Sequence, residues 1–290
     1  MNDALRGYLE LLRPPNVVTA IADVLAGYAV AGRGQASRLP WLIAATVCLY
    51  AGGVVLNDYF DRAVDGSERP ERPIPSGRVP AARAAVLGGA LLASGVALAC
   101  GATRLSGIVA LGLAACVLLY DAAAKRHAFA GPLTMGVCRG LNLVLGMTAV
   151  PAAATNHWSL ALLSVAYIAA VTMVSRGEVH GGKKAVAALA MAVLAGVVAV
   201  LVMIALRPGG WPIPAIVLTA ALTWRVGPAF AAMYADPRPA VIRRAVKAGV
   251  LSLVLLDAAL TAAYAGPVFA AIVLATAVVA GALARLFSVT

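Results

Sequence analysis

The sequence predicts an all-α, polytopic transmembrane helical bundle of about nine to ten spans around a central cavity. Three observations carry this expectation. Of 290 residues, 62% are hydrophobic and only 12% are charged, with a mean hydropathy of +0.91. A globular domain is nearer a quarter charged, and a soluble core of this length cannot hide so much apolar surface. The apolar residues fall in runs of membrane length. The basic residues behind the net charge of +11 lie in short loops between those runs, as in a membrane protein rather than a nucleic-acid binder. A single integral membrane domain over 1–290 is expected. A secreted enzyme and a disordered tail are excluded.

Ten apolar runs lie near 16–33, 39–58, 82–101, 105–121, 131–150, 158–174, 185–206, 212–233, 245–265 and 267–287. Only Gly266-Pro267 separates the last two, a sharp re-entry. An even number of spans returns both termini to one side. The N-terminal segment, the loops after spans two, four, six and eight, and the C-terminus hold 17 of the 23 Lys and Arg residues. The opposite loops hold Arg33, Arg38, Arg104 and Arg207. The positive-inside rule therefore puts the even-numbered loops and both termini in the cytoplasm. The opening MNDALRGYLELLRPP carries Glu10 and Arg13 before any apolar run, so no cleavable signal peptide is expected. Cys48, Cys100, Cys116 and Cys138 lie in apolar runs without CxxC spacing. They read as small residues packed between helices, not as a zinc site or disulfide framework.

Acids are scarce, twelve in all, and five of them fall within 57–78, NDYFDRAVDGSERPERPIPSGR. Asn57, Asp61 and Asp65 are spaced i, i+4, i+8, which stacks them on one helix face. Oxygen ligands so placed suit Mg²⁺, a hard cation that shares phosphate oxygens. Asp58 points about 100° away and is the poorer candidate. Arg69, Arg72 and Arg78 follow, and guanidinium forks match phosphate oxygens. Carboxylates for a metal followed by arginines for phosphate point to a Mg²⁺-diphosphate site, with Arg72 the arginine assigned to it.

The second charged loop, 120–127, reads YDAAAKRH, where Lys125 and Arg126 are read either as holding a diphosphate or as topology markers. The third, 175–184, reads SRGEVHGGKK, with Glu178 and His180 as its acid and imidazole. Two residues two apart do not share a helix face, so His180 is not expected to be a ligand. Ionisable groups inside a membrane are costly and usually face a cavity. Asp23, Arg139, Arg225 and Asp257 qualify, with Asn142 one turn from Arg139. Each is read either as cavity lining near substrate or as an internal ion pair, and Arg225 as a snorkelling side chain.

These residues resemble the UbiA superfamily of intramembrane prenyltransferases. LRPPN at 12–16 is similar to its first-helix signature, NDYFDRAVD to its first aspartate-rich motif NxxxDxxxD, and ERPIPSG to the segment that follows. Tyr120 with Lys125-Arg126 resembles its Tyr/Lys-Arg element, with one extra residue between. The resemblance covers at least 12–184. It implies a cavity whose cytoplasmic cap binds a prenyl diphosphate through Mg²⁺, an apolar channel open to membrane lipid, and transfer to a lipophilic or aromatic acceptor. On this reading Asn57, Asp61, Asp65 and Glu178 hold metal. Asp61, Asp65, Arg72 and Lys125 drive the chemistry. Tyr120, Arg126, Arg139, Asn142, Arg176 and Lys183 complete the substrate contacts.

The second motif departs from the pattern. The family has another DxxxD comb there; this chain has EVHGGK, with Glu178 at the first position and Gly182 at the second. The segment resembles the EboC-like branch of the superfamily. The missing charge compensation is expected from the fixed cations Arg176, Lys183 and Lys184. Two alternatives stay open: a non-catalytic prenyl-lipid carrier on the same scaffold, favoured by the eroded second motif, and a prenyl diphosphate cyclase.

Overall fold

The computed structural model describes residues 3–285. Among them are twelve α-helices and no strand: α1 (Asp3–Leu12), α2 (Pro14–Val30), α3 (Leu39–Glu68), α4 (Ala81–Ala102), α5 (Arg104–Ala122), α6 (Ala130–Met147), α7 (Pro151–His157), α8 (Ala161–Ser175), α9 (Lys184–Ala205), α10 (Pro212–Ala235), α11 (Pro239–Ala265) and α12 (Pro267–Leu283). Prolines in the first turn open α2, α3, α7, α10, α11 and α12. Proline's fixed φ suits that position, where its missing N–H costs nothing. Thr103 caps α5, its hydroxyl accepting from the Ser106 N–H at 3.0 Å.

Each apolar run contains a helix among the described residues, residues 286–287 of the last run lying outside them, but the span count needs correction. Seven stretches are long and apolar enough to cross a membrane: α3, α4, α5, the run of α7 and α8, α9, α10 and α11. The other three runs fall short for physical reasons. Helices α2 and α12 have 17 residues each. Helix α6 has 18 and carries Arg139 and Asn142.

Two boundaries move in ways that matter for the site. Helix α3 continues ten residues past its expected end, because nothing breaks it before Arg69-Pro70 and the residue before proline avoids the helical region. Its 30 residues span about 45 Å, against roughly 30 Å for a hydrocarbon core. The turns bearing Asp61 and Asp65 therefore extend beyond an apolar layer, with Asn57 at its edge. Helix α11 starts at Pro239, so Arg243, Arg244 and Lys247 lie on the exposed face of its first turns, with Ile242, Ala245 and Gly249 buried opposite. The cysteines are free. Cys48, Cys116 and Cys138 are half-buried, but Cys100 is exposed rather than packed between helices. Arg225 is exposed on α10.

Two packing groups share a seam. Leu42, Leu49, Leu92 and Leu113 knit α3, α4 and α5 to α2 and α6. Tyr167, Leu194, Phe230 and Ile242 unite α8 to α11. At the seam α2 crosses α6 backbone to backbone. A Cβ added at Gly27 would lie 2.0 Å from the Leu143 carbonyl oxygen, and one at Gly146 2.1 Å from that of Val24. Such close approach replaces the hydrophobic drive that lipid cannot supply. Trp224, Ile213 and Val278 project outward, exposed, where hydrocarbon would meet them.

Gly146→Leu should prevent stable folding, since the clash is with backbone and overpacking typically costs about 1–3 kcal/mol or more. Gly112→Ala, where an added Cβ meets open space, should leave the melting temperature of the detergent-solubilised protein within a degree or two of wild type or raise it.

Candidate active site

One end of the bundle is a cap of alternating carboxylates and cations. Helix α3 delivers four polar residues to it. Asp61 pairs with Lys125 Nζ at 2.6 Å, and Asp65 with Arg72 at 2.7 Å. Asn57 Nδ2 donates to Asp121 Oδ1 at 2.8 Å. Asp58, set off the comb face as its spacing requires, is buried and accepts from Arg13 and, at 3.4 Å, from Arg72. Asp58 is therefore structural: it draws the α1–α2 corner and the 69–80 loop onto α3.

That corner is strained. Arg13 sits between two helices with φ 45° and ψ 63°, a left-handed conformation that costs a non-glycine residue of order 1–3 kcal/mol. Pro14 pushes the preceding residue out of the helical region, and the bond to Asp58 holds it. Ile74 and Val79 pack on Leu11 and Val55 to seat the loop carrying Arg72. Arg78 joins Glu10 at 2.7 Å and the Glu71 carbonyl at 2.7 Å, a clamp between the loop and α1.

Beneath the cap lies a cavity of about 300 Å³, lined at one end by Arg13, Asn57, Tyr120 and Asp121 and at the other by Tyr50, Arg139 and Asn142, with Leu49, Val54, Leu113 and Val117 as apolar walls. Its floor is a buried polar network. Arg139 donates to Asp23 at 2.7 Å and to Thr19 at 3.0 Å, and lies over the Tyr50 ring at 5.1 Å. Asn142 donates to Asp23 at 2.9 Å and to the Ala20 carbonyl at 2.8 Å, and accepts from Thr46 at 2.6 Å. Asp257 of α11, fully buried, lies against Asp23. Both readings of Arg139 and Asn142 thus hold together: they line the cavity, and they are paired internally.

The third loop stands apart from this cavity. Arg176 is exposed and donates to the carbonyls of Lys125, Arg126 and His127 at 3.1–3.4 Å; it ties two loops together. Arg126 is exposed, contributing that carbonyl. Arg176, Gly182 and Lys183 line a second cavity of about 520 Å³ with Phe129, Pro237 and Ile242. Lys184 lies 6.0 Å from the Tyr234 ring centroid. Burial pushes the half-buried Glu178 carboxyl above its ordinary range, against the pull of Arg243 and Arg69.

Among the described residues, no three of His, Cys, Asp and Glu are gathered to hold a metal ion. The donor chemistry at the cap nevertheless fits Mg²⁺, with hard oxygens only. Asp121 is 2% exposed and its Oδ2 is buried with no hydrogen-bond partner, an acceptor held out of water at a cost of about 1–3 kcal/mol. Sequence reading passed over Asp121 and Arg13. The signals for them were an acid beside Tyr120 in a chain poor in acids, and an arginine wedged before Pro14-Pro15.

The fold and the cap together define an intramembrane helical protein with an acid- and arginine-rich polar cap over an apolar-walled cavity. The chain belongs to the UbiA prenyltransferase family, whose model matches residues 20–245. It is 37% identical over 156 residues to a digeranylgeranylglyceryl phosphate synthase of Ignicoccus hospitalis, covering 53% of this chain and 49% of that one. With the protein of that name from Methanothrix thermoacetophila it shares 33% over 182 residues, 60% of this chain and 68% of the other. The chain spans about half the length of the first of these curated relatives. A UbiA homologue from Archaeoglobus fulgidus bound to DMAPP and Mg²⁺ has the same fold, with a TM-score of 0.66 at 15% identity, over 95% of this chain and 99% of that one. A UbiA homologue from Aeropyrum pernix K1 gives a TM-score of 0.65 at 17% identity, over 89% and 96%.

Arg139→Ala leaves Asp23 and Asp257 facing each other without a cation and should destabilise the protein by about 3–5 kcal/mol, read as a large fall in melting temperature. Asp257→Asn removes one of two acids opposite a single guanidinium. It should leave the melting temperature unchanged or raise it; a fall as large as that of Arg139→Ala would show that Asp257 is an essential ion-pair partner.

Proposed function

We propose that this chain is an intramembrane prenyltransferase of the 2.5.1 class. It takes a prenyl diphosphate at the polar cap and transfers the prenyl group to a lipophilic acceptor, releasing diphosphate. One observation carries the reading: a cavity with apolar walls that opens at one end onto Asn57, Tyr120 and Asp121 and stands beside the cations Arg13, Arg72 and Lys125. A molecule with a charged head and a hydrocarbon tail matches both ends. Family membership and the DMAPP and Mg²⁺ of the Archaeoglobus homologue support the same class of ligand.

Asn57, Asp61 and Asp65 would hold Mg²⁺. When bound, it neutralises diphosphate oxygens and improves the leaving group. Lys125 and Arg72 are then free to turn from Asp61 and Asp65 toward phosphate, as a point charge and a fork respectively. Leu49, Val54, Leu113 and Val117 exclude water from the allylic carbon, and low dielectric strengthens each charge interaction at the cap. Glyceryl phosphate lipids, the class in the relatives' name, are the first acceptors to test.

Purified protein in nanodiscs, given labelled prenyl diphosphates and a glyceryl phosphate lipid as acceptor, should release diphosphate only when both the acceptor and Mg²⁺ are present. Tight binding without turnover at any chain length would make it a carrier, and release without acceptor a cyclase or hydrolase. Asp61→Ala should abolish Mg²⁺-dependent binding, while Asp58→Ala should chiefly lower thermal stability. Equal loss of binding in both, at equal stability, would sink the assignment of the comb. The acidic end of α3 and the loops carrying Lys125 and Arg176 are joined by direct contacts, and on the charge bias they face the cytoplasm. A cysteine placed at Arg69 should then react with an impermeant thiol reagent only from that side.

A further inference from the structure

The second motif of this chain is half empty, and the position that would complete it borders the second cavity and apolar neighbours, not the cap. The Gly182 N–H is tied to the Pro237 carbonyl at 3.0 Å. A Cβ there would meet Ile242 Cδ1 at 3.0 Å and Pro237 Cβ at 3.9 Å, so a side chain at 182 heads into apolar contacts. Glu178 faces Arg243 and Arg69, and Lys183 and Arg176 line the other cavity.

A carboxylate in excess appears instead at the end of α5. Asp121 is 98% enclosed, being 2% exposed. It lines the cavity beside Asn57, and its Oδ2 has no partner. Folding does not account for that oxygen: a buried acid that only braced Asn57 needs one oxygen, and an asparagine would do as well. The surroundings are laid out as two rungs between α3 and the α5 end. Asn57 meets Asp121 at 2.8 Å, and four residues further along each segment Asp61 meets Lys125 at 2.6 Å. The amide that donates Nδ2 to Asp121 keeps its own oxygen for another partner. The unpartnered Asp121 oxygen, the Asn57 oxygen and the Asp61 carboxylate are thus hard donors on adjoining positions, the chemistry a small divalent cation takes.

We propose that Asp121 is a cation ligand at the cap, standing in for the carboxylate that the second motif lacks, with Asn57 and Asp61 as its companions. The inference rests on the metal-diphosphate reading of the cap and names a residue outside both aspartate combs. It makes the metal site a product of α3 and α5, not of α3 and the loop after α8. Lys125, on the second rung, is released to the phosphate when the cation takes Asp61.

The test reads metal, not turnover. Full-length protein in nanodiscs is titrated with Mn²⁺ in the presence of inorganic diphosphate, and bound metal is followed by electron paramagnetic resonance. Asp121→Asn, which keeps an acceptor for Asn57, should weaken Mn²⁺ by on the order of tenfold or more, and Glu178→Gln by far less. The double variant Asn57→Asp with Asp121→Asn moves the carboxylate across the 2.8 Å hydrogen bond and should restore most of the affinity. Wild-type affinity in Asp121→Asn, or a loss that the swap leaves in place, overturns the assignment. Asp61→Asn separates this failure from that of the wider reading. Loss there with none in Asp121→Asn refutes only Asp121, whereas no loss in either refutes the metal site at the cap.

Discussion

The buried bond between Arg139 and Asp23 is the interaction on which the arrangement of the bundle depends. A charge enclosed among apolar helices is expensive unless paired and hydrogen-bonded. Here one guanidinium at 2.7 Å from Asp23 also reaches Thr19, while Asn142, a turn away, reaches Asp23, the Ala20 carbonyl and Thr46. These bonds fix α6 against α2 and α3 in depth and rotation, which apolar contacts with lipid on all sides do not. The glycine crossing at Gly27 and Gly146 brings the backbones close enough for the bonds to form. Asp257 extends the same network to α11. A helix set that slid by one turn would leave the Arg139 cation and the Asp23 carboxylate unpaired in a low-dielectric interior, which disfavours other registers.

The same logic governs the cap, at lower cost because it is partly wet. Its acids are each held by a cation or amide from a different segment: Asp58 by Arg13 and Arg72, Asp65 by Arg72, Asp61 by Lys125, Asp121 by Asn57. The side chains that would receive a metal and a diphosphate are thereby ordered in advance, which reduces the entropy lost on binding. The ordering reaches outward through Arg176, whose bonds to three consecutive carbonyls steady the turn that carries Lys125.

How much of this was legible in the sequence follows from the range of each interaction. Helices read well because hydropathy and proline positions are local, and the spacing of Asn57, Asp61 and Asp65 did put them on one face. Counting spans failed where a helix trades length or apolarity for polar cargo, as α6 does with Arg139 and Asn142. Asp58 was set off the comb by its spacing, but its burial against Arg13 joins residues 45 positions apart, and no local rule sees that. Asp121 was hidden for the same reason: its meaning comes from Asn57, 64 residues away. Lys183 and Arg176 looked like phosphate ligands because they flank the second motif in sequence, yet they line the second cavity and not the one beneath the cap.

Charge balance at the cap constrains any reaction proposed for it. Among the paired groups, Asp58, Asp61, Asp65 and Asp121 oppose Arg13, Arg72 and Lys125, so the ionised set is one charge negative. An anionic diphosphate gains nothing from approaching carboxylates already matched to their cations. A divalent cation reverses the sign and, by taking Asp61, leaves Lys125 unpaired and available. The proposed chemistry therefore requires the cation to enter before the diphosphate or together with it. A second DxxxD comb would add two further acids to this account and demand a second cation to offset them. With Gly182 in place of the acid and Asp121 within the bundle, the smaller negative excess is one that a single divalent ion and the resident cations can turn positive. Erosion of the second motif is in this sense consistent with an intact site: fewer carboxylates need fewer metals, so long as the fixed cations can move from acid to phosphate.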